Sequence, residues 1–252
     1  MKTSLILVGA LAATLLLTSC SSPTSQSGGA STATPAPTED AVVNSLPFNA
    51  SGLLGGTAQP VLANGDADKV AVVQIGPLQK ESGTLIFAFR NNTSDGISHV
   101  DWTATARSGG AIVATGSSQG TIPAQVKPGE TGLAYIYFDN SAAIPDDVEY
   151  EFTVSTIPID TSSYNTAPLK VTQATLVGDS IVGSATNQTG EGVTGPYSVP
   201  VYCFDGDQLA SQFTTYAEQN GDIADGGTVT FSAPLYGDAC ASFVVGVSGY
   251  FS

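Results

Sequence analysis

Histidine occurs once in this chain, as His99, and cysteine three times. One histidine excludes zinc sites built from several. It also leaves a Ser-His-Asp arrangement resting on His99 beside Asp101, with no nucleophile elbow, so a turn is the place expected for His99. Charge is scarce as well: 12% of residues are charged, and 22 acidic against 7 basic residues give a net charge of −15. A surface of that sign repels nucleic acid and anionic headgroups, which argues against DNA, RNA or phospholipid as direct partners. Acidic groups occur at Asp205-Gly206-Asp207, at Asp222 with Asp225, and at Asp146-Asp147 with Glu149. None has the spacing of a recognised calcium loop, and all read as solvated turns. No catalytic residues, metal or cofactor are therefore expected, and the chain is not read as an enzyme. Sustained helical periodicity is missing too, whereas Gly, Ser, Thr and β-branched residues abound, the composition of a secreted β-protein.

Long apolar runs are limited to one. Lys2 followed by Leu5 to Leu17 has the form of a signal peptide, with an apolar core of about thirteen residues, too short to span a hydrocarbon layer of roughly 30 Å. It ends in Leu17-Thr18-Ser19-Cys20, which resembles the bacterial lipobox. The resemblance implies a signal peptide over 1–19, cleavage before Cys20 and lipidation of that cysteine. The protein would then be held at the extracytoplasmic face of the cell membrane by acyl chains that each add about 0.8 kcal/mol per buried CH₂. An ordinary secretory signal with a cysteine near the cut is the competing reading. Residues 20–45 form a Ser/Thr/Pro-rich tether with too little apolar content to order, reaching roughly 25 to 30 Å. Residues 46–68 hold apolar pairs broken by Gly, Pro and Asn and are read as an irregular segment that can pack along the first domain without forming regular structure.

With Cys20 assigned to lipid, Cys203 and Cys240 remain as an even pair in an oxidising compartment, and a disulfide is expected. Two free thiols are the alternative. Cys203 lies on the inward set of its strand, whereas Cys240 is out of phase with inward Ala241, Phe243 and Val245. A bridge therefore requires Cys240 to precede the regular strand.

The remainder contains an internal repeat. The segment from Thr84 to Thr93 aligns with Ser180 to Thr189 at an offset of 96, and Val126 to Thr131 aligns with Ile223 to Thr228 at 97. Alternation locates the change of offset. Val100, Trp102, Ala104 and Ala106 share a face and map at 97 onto Tyr197, Val199, Val201 and Cys203, so the added residue falls in the loop before Tyr197. Strands are predicted at Val70 to Ile75, Leu85 to Asn91, Val100 to Arg107, Ala111 to Ser117, Thr131 to Asp139 and Val148 to Ile157. In the second repeat they run Leu169 to Thr175, Ile181 to Thr186, Val199 to Phe204, Leu209 to Tyr216, Thr228 to Ala233 and Ala241 to Val247. The expected fold is all-β: two tandem immunoglobulin-like antiparallel β-sandwich domains over 69–160 and 168–252, following the signal peptide and the disordered tether.

Each repeat resembles the FxLYD-type domain of bacterial envelope lipoproteins. The resemblance rests on a strand ending in Asn-x-Thr, a longer strand leading to a Gly hairpin, and Pro-Gly or Asp-Gly before a later strand. It is carried best by Val199-Pro200-Val201-Tyr202-Cys203-Phe204-Asp205-Gly206; the aromatic-Leu-Tyr-Asp core is not reproduced, and the first repeat has Arg107-Ser108-Gly109-Gly110 instead. The resemblance implies a non-catalytic accessory sandwich with no site residues to carry over. Asn91-Asn92-Thr93 and Asn187-Gln188-Thr189 are read as strand-end turns although they match glycosylation sequons. Trp102 is read as core. In Leu133 to Phe138, alternation sets Tyr135 and Tyr137 opposite Ala134, Ile136 and Phe138, which makes these tyrosines the candidate ligand contacts. The leading functional expectation is a lipid-anchored envelope protein acting as a non-catalytic interaction or accessory module, with an envelope protein or glycan as partner and no pocket. The alternative is a carbohydrate- or peptide-binding surface lipoprotein with an aromatic groove, for which the junction between the domains is one location.

Overall fold

Leu85-Ile86-Phe87-Ala88-Phe89 shows no alternation, and the strand it forms is buried along its whole length on both faces. A continuous apolar run is what a strand between two packed layers requires, and this strand marks where the halves of the molecule meet. A computed structural model describes residues 45–237 and 239–252. The expected signal peptide, the lipidation site Cys20 and nearly all of the tether lie outside the described residues.

The architecture is all-β. After the two-residue β1 (Gly55–Gly56), the first half contains β2 (Val70–Gln79), β3 (Thr84–Asn91), β4 (Ile97–Ser108), β5 (Ala111–Ile122), β6 (Gln125–Val126), β7 (Thr131–Tyr137) and β8 (Glu149–Pro158). They form one antiparallel sheet in the order β2-β3-β7-β5-β4, with β8 and β6 also on β4. The second half contains β9 (Thr166–Val177), β10 (Ser180–Thr186), β11 (Val193–Asp205), β12 (Gln208–Tyr216), β13 (Thr228–Pro234), β14 (Ser242–Val245) and β15 (Val247–Phe251). Its sheet runs β14-β11-β15-β9-β10-β13, with β12 on β11 and β1 on β14. Each sheet folds over on itself as a sandwich because one strand serves both layers. β5 pairs with β4 up to Ser117 and with β7 from there to Ile122; β9 pairs with β15 and then with β10. For this reason β5 continues beyond its predicted end.

Each half encloses its own core. In the first, Trp102 is buried with Phe87 5.2 Å away edge-on and Phe89 at 5.3 Å, as expected from its inward phase. In the second, Tyr197, Val199, Val201 and Cys203 point inward together. Strand-end asparagines repeat the same turn in both halves. The Asn91 side-chain amide donates to the carbonyls of Asp95 and Val126 while its oxygen accepts from the amide and hydroxyl of Thr93. Asn187 does the same with Glu191, Ile223 and Thr189. Both asparagines are fully buried, so they serve as turn cores rather than exposed modification sites.

The residue added between the repeats lies in a strand bulge, not in a loop. On β4, His99 and Val100 stand opposite the single residue Thr156, between the pairs Ser98↔Ile157 and Asp101↔Ser155. On β11, three residues, Gly195 to Tyr197, stand opposite Gly249 between Thr194↔Tyr250 and Ser198↔Ser248. The same ladders put Phe243 beside Cys203 where Tyr150 stands beside Ala106. Cys240 itself precedes β14, is buried, and bridges to Cys203 with a Cα separation of 5.1 Å. Leaving the strand early is what frees its side chain from the unfavourable phase.

Three features of the joint between the halves go beyond what the sequence announced. Leu54, Ala58 and Leu62, from the segment expected to be irregular, are buried in a third core with Ile86, Ala88 and Leu133 of the first half and Tyr202, Phe204, Leu209 and Val244 of the second. That segment adds β1, and Gly56 is required there: its φ is +118° and a Cβ would come within 2.1 Å of the Phe243 carbonyl oxygen. Buried Arg90 holds the segment down by donating to the carbonyls of Leu46, Ala63 and Gly129. The strand predicted to end at Val247 is interrupted at Gly246, where a Cβ would lie 2.7 Å from Ile122 of the other half. Asp207 accepts from the Val61 amide, and Gln74 pairs with the backbone of Asp207 and Leu209, so one acidic turn is a clamp and not only a solvated loop.

Candidate functional site

The joint core does not fill the space between the halves completely. Beside it opens a cleft of about 350 Å³, a size within the range of small-ligand sites. Its walls come from β4, β5 and β7 on one side and from β9, β11, β12 and β15 on the other.

Three of the bulges in the two sheets converge there, and a bulge redirects side chains that regular pleating would aim elsewhere. The first sets His99 at φ +45°, unusual for a residue with a Cβ, with its Nε2 hydrogen-bonded to the Asn165 side-chain oxygen. His99 thus stands in a bulged strand at the cleft, and not in a turn. The second places Gln119 and Gly120 opposite Tyr135, between the pairs Ser118↔Ile136 and Thr121↔Ala134. The third is the longer bulge before Ser198 on β11. Asp101, Gln119, Thr121 and Ser198 all line the opening.

Four tyrosines complete it: Tyr135, Tyr202, Tyr216 and Tyr250. Tyr216 and Tyr250 lie at the rim, 59% and 38% exposed. The Tyr202 ring is buried in the joint core, yet no described group hydrogen-bonds its hydroxyl. Burial pushes its pKa well above the usual phenol range, and the neighbouring Tyr135 adds to the rise. Tyr135 is half-buried. Desolvation raises its pKa, a hydrogen bond with Thr214 offsets part of that, and nearby Tyr216 contributes a further rise.

The candidate ligand contacts are therefore parted. Tyr135 is in the cleft wall, less exposed than alternation implied because the second half packs over it. Tyr137 is exposed but sits outside the cleft, at the end of β7 beside the turn glycine Gly83. His99, Gln119, Tyr202, Tyr216 and Tyr250 were not marked as ligand contacts by sequence reasoning. One signal was available for Tyr202: Val201 to Phe204 is an unbroken apolar run, the mark of a strand covered on both faces.

Chemically, the cleft presents phenols, hydroxyls and amides with one carboxylate, and no lysine or arginine lines it. His99 faces a neutral amide oxygen, which gives it no base or nucleophile to activate. Among the described residues no group of three or more His, Cys, Asp or Glu is placed to hold a metal ion. No protein-family model matches the chain, and no curated protein is similar to it at a significant level.

Proposed function

We propose that the chain is a lipid-anchored, extracytoplasmic envelope protein that binds a small polar ligand without catalysis, in the cleft between its two halves. The observation that carries this reading is the convergence of three bulges on one opening lined by tyrosines from both halves. Backbone irregularities beside a cleft are a pattern of binding sites, where strain is tolerated because it aims side chains. The lipobox resemblance at Leu17 to Cys20 supports the anchor, and the resemblance to FxLYD-type domains supports an accessory role without catalysis. Net charge favours an uncharged partner over nucleic acid or anionic lipid.

Filling the cleft tests the reading. The full-length protein in detergent should co-sediment with insoluble envelope material of the source cells. Ser198→Trp, which places an indole where a half-exposed hydroxyl now stands, should abolish most of that binding while leaving the melting temperature within a few degrees. Undiminished co-sedimentation of a folded Ser198→Trp protein would refute the cleft as the binding site.

A further inference from the structure

Resting on the cleft reading, we infer that the ligand is a neutral saccharide unit. The reasoning is by the chemistry of the walls. A sugar ring has apolar C–H faces and a fringe of hydroxyls, so its site needs exposed aromatic faces beside donors and acceptors in mixed order. Tyr216 and Tyr250 offer those faces at the rim; Gln119, Asp101, Thr214 and Ser198 offer the polar fringe. In the same wall the Thr121 hydroxyl is buried with no hydrogen-bond partner among the described residues. A buried polar group left unpaired costs free energy that a ligand hydroxyl can recover.

Other ligand classes fit less well. Anionic ligands meet Asp101 and no lysine or arginine in the wall, within a chain of net charge −15. An acyl chain would have to desolvate hydroxyls, phenols and amides, with Val100, Ala124 and Pro200 as the main apolar contributors. An extended peptide gains most of its affinity by adding to a free strand edge. Of the strands in the cleft wall, β4, β7 and β11 are each hydrogen-bonded on both sides, and β12, paired with β11 alone, is the one that keeps a free edge among these four.

The test is saturation-transfer NMR and calorimetry on the full-length protein in detergent, with neutral gluco-, manno-, galacto- and N-acetylglucosamine oligosaccharides. An acidic uronate oligosaccharide and a random peptide library are the comparison arms. At least one neutral oligosaccharide should bind, and Tyr216→Ala and Tyr250→Ala should each weaken it about tenfold or more, as aromatic anchors do. Both rings are exposed enough that the melting temperature should hold. Thr121→Val, which removes the unpaired hydroxyl at nearly constant shape, should weaken the same sugar with no change in fold. The inference is overturned if no neutral oligosaccharide binds, if the double variant Tyr216→Ala/Tyr250→Ala keeps full affinity, or if only the uronate or peptides bind. Failure of the wider reading is distinguishable: when Ser198→Trp abolishes envelope binding yet no neutral sugar binds, the ligand class is wrong and the cleft stands. Envelope binding that survives Ser198→Trp removes both.

Discussion

At the scale of single residues, Tyr202 has two roles: it is buried in the joint core and it also lines the cleft. Because burial raises its pKa, the sign of its effect on stability is fixed. An unfolded phenol ionises near pH 10, whereas the folded one keeps its proton, so stability is at its full value below about pH 10 and is lost as pH rises above it. The loss runs at no more than about 1.4 kcal/mol per pH unit for one proton. Tyr202→Phe should leave stability near pH 8 almost unchanged, since the hydroxyl has no described partner, and should make the decline between pH 10 and 11 shallower. Urea midpoints across that range decide it; a Phe variant that declines as steeply as the parent would mean that Tyr202 burial has no part in the alkaline loss. Tyr135, Tyr150 and Tyr197 are also raised by desolvation, so some decline should persist in the variant.

At the scale of elements, the disulfide acts where β14 begins. Cys203 lies within β11 directly across from Phe243, and Cys240 meets it from the coil just before Ser242. The bridge closes a span of 37 residues, for which chain-entropy arguments give about 3 to 4 kcal/mol. The double variant Cys203→Ala/Cys240→Ala should lose roughly that much, and amide exchange should accelerate first at Ser242 to Val245. Equal exchange there in both proteins would contradict the staple. The position of Cys240 ahead of the strand was legible from phase, as was Trp102 in the core; turn chemistry marked the asparagine turns, and eleven of the twelve predicted strands form as single strands, most ends within a few residues. What was not legible has a common cause. Alternation reports whether one face is buried, so it is silent on β3 and on Val201 to Phe204, where both are. Bulges hide in the same way. Nothing in Ser98-His99-Val100 or Gln119-Gly120 announces that a side chain will be turned toward a cleft, because the opening exists only once strands from both halves are in place.

At the scale of the whole molecule, the repeat suggests two bodies on a string, and the packing says otherwise. The described residues belong to one compact unit. Between the halves lies a continuous apolar core, topped by Leu54, Ala58 and Leu62 and clamped by Gln74 and Asp207. A fully buried large side chain contributes about 1.5 to 3 kcal/mol, so a joint holding Ile86, Leu133, Tyr202 and Phe204 contributes about 6 to 12 kcal/mol, as much as the whole stability of a domain of ordinary size, about 5 to 15 kcal/mol. Neither half should therefore survive the unfolding of the other. The chain's one tryptophan, Trp102, is in the core of the first half and reports on that half alone, while far-UV circular dichroism reports on both. In urea, tryptophan fluorescence and circular dichroism should trace a single coincident transition. Phe204→Ala, at a cost of about 3 to 5 kcal/mol drawn from the joint, should move the two curves apart. Because Phe204 belongs to β11, the second half should melt first and leave Trp102 in a folded environment at intermediate urea. Separate transitions in the parent protein would show that the halves are independent, and the cleft between them would then have no fixed shape on which to select a ligand.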